Sequence, residues 1–96
     1  MKYYLVEGTL LDAGKINDNL MEIHKAYTQR AMDAHHILLS GLKSNQSGAM
    51  FLMCFEQEKD LMSYLDQEPF YVHGIQSYQY HRIDIHYLNQ DITTWL

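Results

Sequence analysis

The chain has 96 residues, 47% of them apolar and 20% charged, and a net charge of −5 at neutral pH. This length and composition predict one globular domain over residues 1–96, with a tail at residues 89–96, because two domains would each be too short to bury a core. The acidic balance without runs of Lys or Arg argues against a nucleic-acid partner, and no apolar stretch approaches the roughly 20 residues of a membrane span.

The cellular compartment is predicted from cysteine usage and from the first residues of the chain. Cys54 is the only cysteine, so no intrachain disulfide can form. Glu7 follows the start too soon for the apolar region of a signal peptide. We therefore expect a cytoplasmic protein.

The first half of the chain predicts a strand, a helix and a second strand. Segment 3–11 is rich in Tyr, Leu, Val and Thr, which favour strands. Segment 16–34 carries one apolar stripe at helical spacing, formed by Ile16, Leu20, Ile23, Tyr27, Ala31 and Ala34. Asn17 and Asp18 place capping and negative groups at the start of this helix. Segment 37–42 reads as the second strand.

The second half predicts a strand, a helix and a closing strand. A polar turn at 43–48 leads into an apolar strand at 49–55, a helix at 57–66 and a strand at 78–88. Segment 68–74 contains the proline that ends the helix and begins a short helical turn. The order predicts an α+β, ferredoxin-like β-α-β-β-α-β fold, with a four-stranded antiparallel sheet and two helices on one face.

The third strand is apolar on both of its faces, as the run Ala49-Met50-Phe51-Leu52-Met53-Cys54-Phe55 shows. Two helices cover only one face of a sheet, so we expect a second copy of the chain to cover the other. The sequence thus predicts a homodimer, with higher oligomers open, and a small-molecule cavity between the two sheets.

Polar residues of the fourth strand share one face at period two, where Arg82, Asp84 and His86 follow Tyr80. One interpretation is a solvated face with an Arg82–Asp84 ion pair. The other is a cavity lining in which Arg82 binds an anionic substrate while Tyr78 and Tyr80 stack on an aromatic ring. We expect no metal site, because no His-x-His pair accompanies Asp84 and His86.

His24 lies in the first helix, beside the apolar stripe. It is either a boundary histidine with one hydrogen-bonded ring nitrogen or an acid–base group. Ser40 lacks the Gly-x-Ser-x-Gly surroundings of a serine hydrolase, and nothing in the sequence places a base beside Cys54.

Three sequence features occur together in a way typical of one family. They are a helical histidine at His24, a strand ending in Ser40-Gly41, and the motif Glu-Pro-Phe-x-x-x-Gly from Glu68 to Gly74. Over most of the chain this arrangement resembles the YciI-like (YCII-related) family, in which the motif typically reads Asp-Pro-Phe. Here Glu68 replaces Asp, and Leu42 replaces the proline that usually follows the glycine of the strand.

The resemblance implies a dimeric α/β-barrel fold related to muconolactone isomerase. It also implies a site built on His24 and Glu68, with Ser40 nearby. Most members have no assigned reaction. One branch resembles a dehydrochlorinase of chlorinated hydroxyquinols, which implies acid–base chemistry on small ring compounds without a cofactor.

Two classes of function follow as hypotheses. In the first, an enzyme of lyase or isomerase type uses His24 as acid or base and Glu68 to orient it, while Ser40, Arg82 and Tyr80 bind the substrate. In the second, the dimer binds a small ligand without chemistry. A cofactor-free monooxygenase is a third possibility, which rests on fold analogy alone.

Overall fold

The computed structural model describes residues 1–95. Its strands and helices, in chain order, are β1 (Lys2–Leu10), α1 (Asp18–Asp33), β2 (Ile37–Leu42), β3 (Ala49–Phe55), α2 (Glu58–Asp66), α3 (Pro69–Val72) and β4 (Gln76–Ile83). The strands form one antiparallel sheet in the order β2-β3-β1-β4. This topology confirms the ferredoxin-like prediction. None of the helices in residues 1–95 has the length and apolar character needed to cross a bilayer.

The core lies between the helices and one face of the sheet. Tyr4 and Val6 of β1 and Leu61 of α2 are fully buried, and they belong to one apolar cluster with Ala31 of α1. A fully buried side chain of this size contributes about 1.5–3 kcal/mol through its removal from water. Both long helices therefore cover the same face, as predicted.

The orientation of α1 differs from the one that its apolar stripe indicates. Asn17 caps the helix by accepting a hydrogen bond from the Leu20 amide at 2.8 Å. Ile23, a member of the stripe, is 45% exposed, whereas the His24 side chain is only 18% exposed. His24 thus lies near the centre of the inward face. The buried carboxylate of Glu68 accepts a hydrogen bond from its ring nitrogen.

Strand β4 is shorter than predicted and ends at Ile83. Its last pair joins Ile83 to Tyr3 near the start of β1, so later residues have no neighbouring strand. Tyr80 and Arg82 pair with the buried residues Val6 and Tyr4, which places them on the helix-covered face. The expectation that this row of residues lines a cavity between two sheets is therefore wrong.

The second face of the sheet has a mixed character. Leu5 is 41% exposed there, and beside it Glu7 accepts hydrogen bonds from Lys43 Nζ at 2.7 Å and Gln79 Nε2 at 2.9 Å. These contacts lower the pKa of the Glu7 carboxyl, the hydrogen bond from Lys43 most strongly. The tail covers one end of this face, where Ile85, Leu88 and Ile92 border a cavity with Tyr3, Leu52 and Cys54. The same chain thus supplies part of the cover that sequence analysis assigned to a second copy.

Gly48, the residue before β3, lies very close to the backbone of β1. Gly48 has φ +150°, and a Cβ atom there would lie 2.0 Å from the Gly8 carbonyl oxygen of β1. We expect Gly48→Ala to lower the free energy of unfolding by about 2–4 kcal/mol, since backbone must move to relieve the overlap. Chemical denaturation measures the change.

Gly41→Ala is the matched control, because a Cβ atom at Gly41 meets nothing within 4 Å. We expect a change within about 0.5 kcal/mol for this variant. Equal losses in the two variants would contradict the close approach of Gly48 to β1.

Candidate functional site

A buried carboxylate lies at the junction of α2 and α3. Glu68 is 2% exposed and is the N-cap of α3, with Pro69 at the first helical position. Its Oε2 atom accepts hydrogen bonds from the backbone amides of Phe70 at 3.0 Å and Tyr71 at 3.2 Å. The start of α3 therefore supplies two donors that stabilise negative charge on this side chain.

Two side chains of β4 complete the hydrogen bonding of the same oxygen. The Ala49 amide can only donate, so its 3.1 Å contact identifies the facing Gln76 atom as the amide oxygen. Gln76 Nε2 then donates to the Tyr78 hydroxyl, which in turn donates to Glu68 Oε2, both at 2.8 Å. The Tyr78 hydroxyl is therefore the third hydrogen-bond donor to the Glu68 carboxylate.

His24 contacts the other carboxylate oxygen. Its Nδ1 atom lies 2.5 Å from Glu68 Oε1, and its ring stacks on Phe70 with centroids 3.8 Å apart and planes 5° from parallel. A carboxylate only accepts hydrogen bonds, so Nδ1 carries the proton. In the neutral ring this leaves Nε2 as the lone-pair nitrogen. Nε2 makes no hydrogen bond within residues 1–95.

His24 faces two adjoining open clefts on the helix side of the sheet. The Ser40 cleft, of about 400 Å³, lies between α1 and the edge strand β2 and is lined by His24, Lys25, Thr28, Ser40, Leu42 and Phe51, among others. The Phe70 cleft, of about 420 Å³, shares His24, Lys25, Leu42 and Ala49 with it and extends to Phe70 and Gln76. These volumes suit small molecules. One chain forms both clefts, which corrects the expectation that the cavity arises between two sheets.

The structure brings together three of the five residues that sequence analysis selected. His24 and Glu68 are hydrogen-bonded, and Ser40 lines a cleft with His24. Tyr80 lines neither cleft and packs edge-on against Tyr4 with ring centroids 5.7 Å apart. Arg82 is half exposed, with its Nε atom 3.5 Å from Asp84 Oδ1. Neither Tyr80 nor Arg82 is part of the His24 site.

Sequence analysis missed Gln76 and Lys25 and gave Tyr78 only a stacking role. The alternation of β4 places Gln76 and Tyr78 on its inner face, but Gln76 lies before the predicted start of that strand. Gln76 contacts the amide of Ala49 on β3, and Tyr78 contacts Glu68 at the start of α3, so the pattern of β4 alone does not reveal these contacts. Within residues 1–95, no three His, Cys, Asp or Glu side chains are grouped as metal ligands are.

Tyr78 remains a hydrogen-bond donor over a wide pH range. Burial raises the pKa of its hydroxyl well above the ordinary value, and the charge of Glu68 and the hydrogen bond to it raise the pKa further. Burial also raises the pKa of Tyr64, with the nearby Tyr27 and Glu68 as smaller causes.

Comparison with known proteins shows the fold. No protein-family model matches the chain, and no curated protein does. A solved structure of 5-chloro-2-hydroxyhydroquinone dehydrochlorinase from Burkholderia phenoliruptrix AC1100, in complex with 2,5-dihydroxybenzoquinone, superposes with a TM-score of 0.71. The match covers 85% of this chain and 93% of that one at 15% identity. The chain thus shares the ferredoxin-like fold of this dehydrochlorinase.

The raised pKa of Tyr78 predicts how stability falls in alkali. The unfolded tyrosine ionises near pH 10, whereas the folded one stays neutral, so its contribution is complete below about pH 10 and is lost as the pH rises further. We expect Tyr78→Phe to reduce the alkaline slope of the unfolding free energy by about 1.4 kcal/mol per pH unit. Urea denaturation between about pH 9 and 11 measures this slope.

Tyr87→Phe is the control for this experiment, because Tyr87 is 96% exposed and has similar surroundings in the folded and unfolded chains. The alkaline slope of its unfolding free energy should equal that of the parent. A slope unchanged by Tyr78→Phe would contradict the buried Tyr78–Glu68 contact.

Proposed function

We propose that this protein is a cofactor-independent enzyme that moves a proton on a small ring compound, with His24 as the acid–base group. The observation that carries the proposal is the 2.5 Å contact between His24 Nδ1 and the buried Glu68 carboxylate, beside an open cleft. A positioned imidazole typically accelerates proton transfer by about 10²–10⁴-fold.

The proposed division of labour follows from the hydrogen bonds. Glu68 holds the proton on Nδ1 and stabilises the imidazolium that forms when Nε2 accepts a proton. The Ser40 hydroxyl, which borders the same cleft, binds a polar group of the substrate. Leu42 and Phe51 offer an apolar wall to a ring.

The substrate class is proposed from two sources. The first is the size and mixed lining of the clefts. The second is the structural neighbour, which is named as a dehydrochlorinase and was solved with a dihydroxybenzoquinone. A hydroxylated aromatic ring satisfies both, whereas a lactone satisfies the first alone.

We also propose that the chain belongs to the YciI-like family, and the local structure of its motif supports this. Glu68 caps α3, Pro69 begins it, and Phe70 is buried against the His24 ring. Gly74 follows the helix with φ +70°, a conformation that favours glycine. Each fixed residue of the motif thus has a structural role in α3 or at its ends, and two of them contact the His24 ring.

The test of the enzyme proposal is His24→Asn, a variant whose amide can still donate to Glu68. With 5-chloro-2-hydroxyhydroquinone as probe, proton transfer on the ring allows the C–Cl bond to break with loss of HCl, so we expect chloride release to fall by about 10²–10⁴-fold. The unfolding free energy should change by less than about 1 kcal/mol, because the carboxylate keeps a donor. Ion chromatography measures chloride.

His73→Asn is the matched control, since His73 is exposed and lines neither cleft. Its turnover should equal that of the parent. A parent protein that binds hydroxylated rings but never transforms them would instead favour the ligand-binding hypothesis.

We further propose a homodimer that uses the second face of the sheet. The half-exposed apolar residues of β1 and β3 on this face support the proposal, since only one end lies under the tail. We expect Leu5→Lys to convert a dimer into a monomer, because it buries an ammonium group without a partner. Light scattering reports the mass.

Leu11→Lys is the control for the dimer, because Leu11 is exposed and lies outside the sheet. This variant should remain dimeric. A parent chain that is monomeric at micromolar concentration would refute the dimer.

A further inference from the structure

The geometry points to an anion-binding role for Lys25, so that the His24 clefts select ring compounds with a carboxylate or a similar anionic group. This inference deepens the proposed function and rests on the use of the same clefts. It begins from the position of Lys25, which follows His24 on α1 and borders both the Ser40 cleft and the Phe70 cleft.

Charge within the clefts favours an anion. Among the described residues that line either cleft, none is Asp or Glu, and Lys25 is the one with a permanent charge. Glu68 lies behind His24, and its carboxylate is saturated by donors from α3, Tyr78 and His24. An incoming anion therefore meets a cation at the surface of the cleft and no exposed carboxylate.

Three of the other six basic residues have an acidic partner, whereas Lys25 has none. Among the basic residues of positions 1–95 without such a partner, Lys25 is the one that borders the clefts. Lys15 lies 4.0 Å from Asp12, Lys43 lies 2.7 Å from Glu7, and Arg82 lies 3.5 Å from Asp84. Within residues 1–95, no carboxylate comes within 4.0 Å of the Lys25 ammonium. In a chain with a net charge of −5, a cation left without a partner beside an acid–base histidine is available to a ligand.

The two side chains would engage different ends of one ligand. Successive residues of a helix project about 100° apart, so Lys25 lies at the exposed rim while His24 lies deeper. The anionic group would sit at the rim and the exchangeable proton at depth, near His24 Nε2. Leu42 and Ala49, which border both clefts, would contact the ring between them.

Binding of two matched probes tests the assignment. Hydroquinone and 2,5-dihydroxybenzoate share a ring and differ by one carboxylate. We expect the parent to bind 2,5-dihydroxybenzoate about tenfold more tightly, a preference that Lys25→Met abolishes while hydroquinone binding stays unchanged. Lys25→Arg should keep the preference, and added salt should weaken it in the parent. Calorimetric or NMR titration measures each affinity.

Lys59→Met is the control, because Lys59 is an exposed residue of α2 that lines neither cleft. An equal loss in Lys59→Met, an unchanged preference in Lys25→Met, or no binding of either probe at millimolar concentration would overturn the assignment. A turnover assay of the parent beside the titration separates the two proposals. A Lys25-dependent preference in a parent chain that shows no turnover would leave the anion site standing and remove only the enzyme.

Discussion

The burial of one carboxylate is the constraint on which the rest of this structure depends. A charged group out of water is tolerated only when hydrogen bonds replace its hydration. Glu68 obtains four, from two amides of α3, the Tyr78 hydroxyl and the His24 ring. These donors come from α1, α3 and β4, so meeting the needs of one side chain fixes how three elements meet.

The same constraint explains why a polar residue occupies the inward face of α1. Apolar spacing alone would turn Ile23 toward the core, yet Ile23 is exposed and His24 is inward. An imidazole with a strong acceptor and an aromatic ring beneath it loses little by burial, and Phe70 and Glu68 supply both. Packing on Phe70 and the hydrogen bond to Glu68 therefore favour the same rotation of the helix.

Sequence patterns predicted the topology of the fold more completely than they predicted the candidate functional site. Strand and helix periodicity gave the element order, and the order alone restricts the sheet to very few arrangements. The His24–Glu68 pair followed from a family resemblance, since 44 positions separate the two residues and no local rule joins them. The contacts of Gln76 with Ala49 and of Tyr78 with Glu68 were not predicted either, because each joins β4 to another element. Arg82 was misassigned because alternation identifies residues that share a face but not which face the helices cover.

The length of the Glu68 side chain affects the packing of the helices. The family that the chain resembles typically has the shorter aspartate at this position. Glu68 Oε2 caps α3 while Oε1 contacts α1, so one carboxyl group links two helices. An aspartate would withdraw the carboxyl group by about 1.5 Å, roughly one carbon–carbon bond. Both sets of contacts would then survive only if α1 lay closer to α3. The choice of glutamate is thus coupled to the spacing of these helices, and both helices contribute lining residues to the Phe70 cleft.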